Sequence, residues 1–107
     1  MQIQTPLGIM ELLENCAVCN IMVNTGRMFE EDLIRRLSFY IQNAKIITDI
    51  GAHIGCHTIS YAQINNTCQV YSFEPQKKIF DVLNKNVLLK NVCVKASLVM
   101  FLFLTSL

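Results

Sequence analysis

The apolar residues of this chain change their spacing along its length, and each spacing predicts an element. Residues 1–24 carry weak patterning around Ile9, Leu12, Leu13, Val18 and Ile21, too loose to specify helix or strand. Asn24-Thr25-Gly26 signals a turn. From Phe29 a helical period takes over. Leu33, Ile34, Leu37, Tyr40 and Ile41 fall on one stripe and predict a helix over 29–43 with that stripe in the core. Glu30, Glu31 and Asp32 crowd its first turn, where negative charge suits the helix dipole. Glu31–Arg35 and Asp32–Arg36 are i,i+4 pairs in the favourable order.

Residues 45–50 (KIITDI) are short, β-branched and bounded by glycine, the pattern of a buried parallel strand. A glycine turn over 51–55 leads into a helix reaching about Ile64, which Asn65-Asn66-Thr67 breaks. Residues 69–74 (QVYSFE) form a second strand, stopped by Pro75. Ile79, Phe80, Leu83, Val87 and Leu88 mark the apolar face of a further helix, closed by Asn91, and Val92-Cys93-Val94 starts a third strand. The order helix, β, glycine turn, α, β, α, β predicts an α/β fold with a parallel βαβαβ sheet.

Composition narrows the class. With 52% hydrophobic residues, 16% charged residues and a net charge of +1, the chain is no disordered tail, and electrostatics favours neither nucleic acid nor an anionic membrane as partner. The five cysteines are odd in number, and residues 1–14 lack a basic segment followed by an apolar one. The expectation is therefore reduced thiols in a cytoplasmic compartment. No stretch approaches the ~20 apolar residues of a membrane span. Cys16-Ala17-Val18-Cys19 has metal or redox spacing, and His53 and His57 stand at i,i+4. A zinc finger places about 12–15 residues between its pairs, whereas 33 separate Cys19 from His53. A redox CxxC follows a strand and opens a helix, and the patterning shows neither around Cys16. The thiols are expected to be buried or half-buried, with Cys56, Cys68 and Cys93 as small core residues. His57 reads as a packed or solvent-edge histidine.

Chemistry concentrates at two strand ends, where ligands of parallel α/β sheets bind. At the first, Asp49-Ile50-Gly51-Ala52-His53-Ile54-Gly55, the glycines permit a tight turn and close approach of a ligand to the backbone. The helix that follows presents free N–H groups. At the second stands Glu74, 23 residues after Gly51, an offset at which an acid accepts hydrogen bonds from ribose hydroxyls. Together they indicate a nucleoside site; the bland alternative is a tight turn and a surface Glu. A dinucleotide fingerprint requires glycine where His53 and Cys56 stand, and the Gly-Lys-Ser/Thr of a P-loop is absent. A turn opening Asp-x-Gly suits a ligand with a charged amino-acid end and no phosphate, such as S-adenosylmethionine.

These residues resemble the FkbM-type S-adenosylmethionine-dependent methyltransferases. The likeness rests on Asp49-Ile50-Gly51-Ala52-His53-Ile54-Gly55, His57-Thr58-Ile59-Ser60, Val70-Tyr71-Ser72-Phe73-Glu74-Pro75-Gln76, Phe80, Leu83 and Asn86. Met28-Phe29-Glu30-Glu31-Asp32-Leu33 is also similar to the segment before that family's first strand, so the resemblance runs over 28–91. It implies a Rossmann-like class I methyltransferase fold and O-methylation. It also implies a cofactor site of Asp49, Gly51, Ala52, His53 and Gly55 at the methionyl end, with Glu74 on the ribose. The family often has Asn where this chain has His53.

Length then counts against a whole domain of this kind. Seven strands with their helices and loops need about 150 residues, whereas 63 remain from Lys45 onward. The organisation expected is a lead-in over 1–44, an incomplete cofactor-binding half over 45–95 and an apolar tail over 96–107. A half sheet leaves an open edge at which chains self-associate. After Val94 a polar turn and another helix are expected, yet Leu98 begins seven consecutive apolar residues. They fit a frameshifted or prematurely ended chain, or a strand plugging the half sheet; as a membrane tail they are too short. The leading expectation is a truncated methyltransferase, inactive alone. The alternatives are a non-catalytic remnant or interaction module keeping a partial nucleoside site and, more distantly, an NAD-binding domain.

Overall fold

A computed structural model describes residues 1–99. The chain opens with a hairpin of β1 (Gln2–Thr5) and β2 (Gly8–Glu11), in which Ile3 stands opposite Met10. Its turn is closed by Thr5, whose hydroxyl donates to the Gly8 carbonyl at 2.6 Å and accepts the Leu7 N–H at 3.1 Å. A loop over 12–15 leads to Cys16, the N-cap of α1 (Ala17–Thr25). Thus a strand precedes the Cys16–Cys19 pair and a helix starts on it, contrary to the sequence expectation; too few alternating positions mark so short a hairpin. Gly26, left-handed at φ 68°, ends α1 and donates its N–H to the Met22 carbonyl, so the Asn24-Thr25-Gly26 turn is a helix C-cap.

The helix expected over 29–43 is two: α2 (Glu31–Arg36) and α3 (Ser38–Asn43). Between them Leu37 sits at φ −88°, ψ 0°, and its N–H is shared between the Leu33 and Ile34 carbonyls. That tight turn displaces the helical phase. Ile34 and Ile41 remain buried, whereas Leu33 is exposed and Tyr40 is 71% exposed rather than in the core. The expected i,i+4 pairs are replaced as well. Arg27 pairs with Glu31 and Asp32, and Arg35 reaches Asp32 at 3.0 Å.

The remaining elements are β3 (Ile46–Ile50), α4 (Cys56–Ile64), β4 (Gln69–Glu74), α5 (Lys77–Lys90) and β5 (Val94–Leu98). The strands form a parallel sheet in the order β3-β4-β5, aligning Ile47 with Val70 and Val70 with Val94. β5 continues to Leu98, so the stretch assigned to the tail begins as strand, and Val99 still donates to the Glu74 carbonyl at 3.3 Å. The expectations for 100–107 lie outside the described residues.

Two same-handed crossovers place α4 and α5 on one face of the sheet. There Ile47, Val70, Val94 and Ala96 pack against Ala62, Leu83 and Val87. The opposite face carries Ile46 (64% exposed), Ile50 (68% exposed), Tyr71 and Phe73, so β3 is not the buried strand its composition suggests. Among the described residues, β3 has a strand on one side only. Leu88 is exposed too, because 100° per residue carries it past the face that Leu83 and Val87 define. Cys93 likewise lies at the surface, whereas Cys56 and Cys68 are buried.

Two buried asparagines join the lead-in to the sheet. Asn86, fully buried on α5, accepts the Glu11 N–H at 2.6 Å and donates to the Glu11 and Ile54 carbonyls at 3.0 and 2.9 Å. Asn65 donates to the Ile41 and Ala44 carbonyls at 2.8 and 2.9 Å, and its oxygen accepts the Cys68 N–H at 3.1 Å. Asn65 is therefore a tether, where the sequence suggested only a helix breaker. Replacing Asn86 by Leu strands the buried Ile54 carbonyl and frees two part-buried Glu11 groups, and a buried unpaired group costs about 1–3 kcal/mol. Asn86→Leu should lower stability to urea by at least about 1 kcal/mol, with exposed Leu88→Ala as a near-neutral control.

Candidate functional site

The glycine turn is built by backbone hydrogen bonding to the neighbouring strand. The N–H groups of Gly51 and Ala52 both donate to the Phe73 carbonyl, at 2.8 and 3.0 Å. Three residues of the turn have positive φ: Gly51 at 77°, His53 at 56° and Gly55 at 101°. The requirement for glycine differs between its two ends. A Cβ on Gly51 would meet nothing within 4 Å, so the backbone there is open to a ligand, whereas one on Gly55 would lie 2.9 Å from a Leu83 methyl. Gly55 therefore serves packing of the turn on α5.

His53 takes a conformation in which Asn, Asp and His are enriched among non-glycine residues. On that ground Asn suits the backbone at this position as well as His does. Its N–H donates to Glu74 Oε1 at 2.9 Å, and Gln76 N–H donates to Glu74 Oε2 at 3.0 Å. Glu74 is only 3% exposed, so its first role is to clasp the turn from the end of β4.

Asp49 is held by a buried relay. The Thr58 hydroxyl, fully buried on α4, donates to Asp49 Oδ2 at 2.6 Å, and the equally buried Ser72 hydroxyl lies 2.6 Å from the Thr58 oxygen. With Thr58 committed to the carboxylate, Ser72 donates to Thr58. The relay fixes the rotamer of an acid at the carboxyl end of β3.

A cavity of 270 Å³ opens beyond that strand end. Asp49, Gly51, Ala52 and His53 line it, whereas Gly55 and Glu74 do not. The lining also includes residues the sequence left out: Val18 from α1, Phe29 and Glu30 from the lead-in, and Cys56 and His57 from α4. Only His57 carried a local signal, its i,i+4 spacing from His53. His57 Nε2 lies 3.2 Å from Glu30 Oε1, out of hydrogen-bonding alignment. Both it and His53 Nδ1 are buried without a hydrogen-bond partner. Orphaned polar atoms beside a cavity mark places for a polar ligand or water. Burial, with the negative charge of Asp49 and Glu30, pushes the nearby Tyr61 phenol upward. The wall is acidic. Among the described residues, no three His, Cys, Asp or Glu side chains converge to hold a metal, and no helix is long and apolar enough to cross a membrane.

The fold matches part of the fold of S-adenosylmethionine-dependent methyltransferases of known structure. A structure from Staphylococcus aureus, a candidate caffeoyl-CoA O-methyltransferase, matches with a TM-score of 0.63 and 16% identity, over 80% of this chain and 45% of its own. TYW2 of M. jannaschii, solved in complex with AdoMet, matches with a TM-score of 0.56 and 25% identity, over 64% of this chain and 32% of its own. The Pyrococcus abyssi tRNA (uracil-54, C5)-methyltransferase, solved with S-adenosyl-L-homocysteine, gives a TM-score of 0.53 at 22% identity, over 64% and 17%. This chain spans less than half the length of these structures. No protein-family model and no curated protein sequence matches it.

The turn makes its own prediction. His53→Asn should leave stability within about 0.5 kcal/mol, while β-branched His53→Val should cost about 1–2 kcal/mol for the left-handed backbone. Thermal melts of the two variants compare them directly.

Proposed function

We propose that this chain binds S-adenosylmethionine beyond β3 and represents the cofactor-binding half of a methyltransferase of FkbM type, acting on an acceptor oxygen. The observation carrying this reading is Asp49, locked by Thr58 and Ser72 at the rim of a cavity that starts on an open glycine. The residues fit the ligand. Asp49 and Glu30 set two carboxylates on one wall, matching the ammonium of an amino-acid end. The unpartnered His53 and His57 nitrogens lie beside them for polar contact. Glu74, buried beneath the turn, contributes in this reading by fixing the conformation of the turn through the two N–H groups it accepts. When bound, the cofactor supplies a methyl group made electrophilic by its sulfonium.

The protein's part in this reading is to hold and orient. Asp49 orients because its carboxylate cannot rotate without breaking the Thr58 bond, and the clasp of Glu74 keeps the turn in the conformation that exposes Gly51. The acceptor pocket and the group that takes the acceptor's proton belong, in this reading, to strands beyond the third. The chain alone is therefore expected to bind cofactor without transferring its methyl group.

A second reading, a non-catalytic interaction module, draws on β3. Among the described residues its outer edge carries no strand, and exposed Ile46 and Ile50 lie on it. A second copy pairing antiparallel about Thr48 would set Ile46 opposite Ile50 twice and keep the Asp49 side chains from facing one another. Sedimentation should then show a concentration-dependent dimer that Ile50→Lys abolishes.

Calorimetry with S-adenosylhomocysteine tests the first reading. Binding weakened at least tenfold by Asp49→Asn, in a variant whose circular dichroism is unchanged, supports it. Absence of heat with the folded wild-type chain, or competition by NAD, overturns it. Methyl transfer to any acceptor by the purified chain would refute the assignment of the acceptor machinery to other strands.

A further inference from the structure

The cofactor reading leaves Cys16 and Cys19 unused, and their surroundings are distinctive. β2 ends at Glu11, four residues intervene, and Cys16 caps α1 with its sulfur, which accepts the Cys19 N–H at 3.3 Å. The helix so opened has nine residues. We propose that Cys16 and Cys19 are a redox-active dithiol that closes to an intramolecular disulfide by exchange with a low-molecular-weight disulfide.

Geometry permits the bond. In a helical turn the first and fourth Cα atoms lie about 5 Å apart, inside the roughly 4.4–6.8 Å window of disulfides. The backbone already holds the Cys16 sulfur over the first turn, so closure asks for side-chain rotation and not for a new backbone path. Cys19 is 1% exposed, and burial together with the adjacent Cys16 thiol pushes its own thiol up to about 11. Cys16 is half-buried and lines an open cavity of 380 Å³ with Leu13, Gln76, Lys78 and His53. The two thiols therefore divide the work: Cys16 meets the incoming disulfide, and Cys19 resolves the product.

The Cys16 sulfur gives its proton to solvent and attacks one sulfur of the incoming disulfide. A mixed S–S bond forms as the original one breaks, and the leaving thiolate takes up a proton. The Cys19 sulfur, losing its proton, then attacks the Cys16 sulfur and displaces the second small thiol, which is protonated in turn. Two electrons and two protons leave the dithiol, and the small disulfide becomes two thiols. The other cysteines are placed differently. Cys56 is buried with its sulfur 3.5 Å from Met22 Sδ and its thiol pushed up to about 12 by burial and the neighbouring cysteines. Cys68 is buried and Cys93 is exposed.

The test is equilibration of the full chain in glutathione buffers of graded oxidised-to-reduced ratio, followed by acid quench, alkylation and peptide mass mapping. The expected result is loss of two of the five alkylatable thiols in a single two-electron transition, mapping to a Cys16–Cys19 link. Cys19→Ser and Cys19→Ala should each stop at a glutathione adduct on Cys16. Five alkylatable thiols across the whole range, adducts confined to Cys93, or a disulfide that includes Cys56 would each overturn the proposal. Because the wild-type chain gives the primary readout, it stands even where a variant fails to fold.

Discussion

The Asn86 side chain is the contact on which the arrangement of this molecule depends. It is fully buried, and its amide meets three backbone groups from two distant segments, Glu11 on the hairpin and Ile54 in the glycine turn. Buried backbone groups must find partners. A hairpin strand that is not extended by the sheet has few ways to do so, and Asn86 supplies one. By binding both segments the residue sets the hairpin and the turn in one frame. The cluster of Met10, Leu12, Cys19, Met22, Ile54 and Ile59 then fills the space between them. Asn65 does the equivalent at the other end, tying the end of α3 to the start of β4. Amides suit both places because one side chain donates and accepts without carrying charge into the core.

From that frame the site follows. α1 and the segment that follows it reach the carboxyl end of β3, so Val18, Phe29 and Glu30 line a cavity together with the glycine turn. Asp49 and Glu74 both end strands yet are treated differently by the fold. A hydroxyl relay holds Asp49 at the cavity, whereas the N–H groups of His53 and Gln76 engage Glu74 beneath it. One acid lines the cavity and the other shapes the turn beside it. The same lead-in puts Cys16 at a helix start within a second cavity that shares His53 with the first. The thiol pair and the ligand turn are thus neighbours in space although far apart in sequence.

Local signals in the chain proved readable where structure is made locally. The glycine turn, the order of strands and helices from Ile46 onward and the chain reversal signalled by Asn24-Thr25-Gly26 depend on residues within a few positions of one another. Asp49, Gly51, Ala52 and His53 come together at the cavity because they are neighbours in the same turn. The lead-in was not readable in this way. The helical stripe from Leu33 to Ile41 looks continuous in sequence, because its residues favour helix on both sides of Leu37, and the shared N–H of Leu37 divides it in the fold. Exposure of Ile46, Ile50 and Leu88 likewise depends on which faces other elements cover.

The sequence by itself determined the parallel α/β class and the glycine turn with its acids, since each follows from backbone conformation and residue chemistry at short range. Tertiary structure alone decided that Glu30 and His57 share a cavity with Asp49, that Glu74 clasps the turn, and that Cys16 opens a helix behind a strand. Those facts depend on contacts between segments tens of residues apart, such as the bond from Asn86 to Glu11. Such contacts form when buried groups find partners, and spacing along the chain does not reveal which partner each group will find.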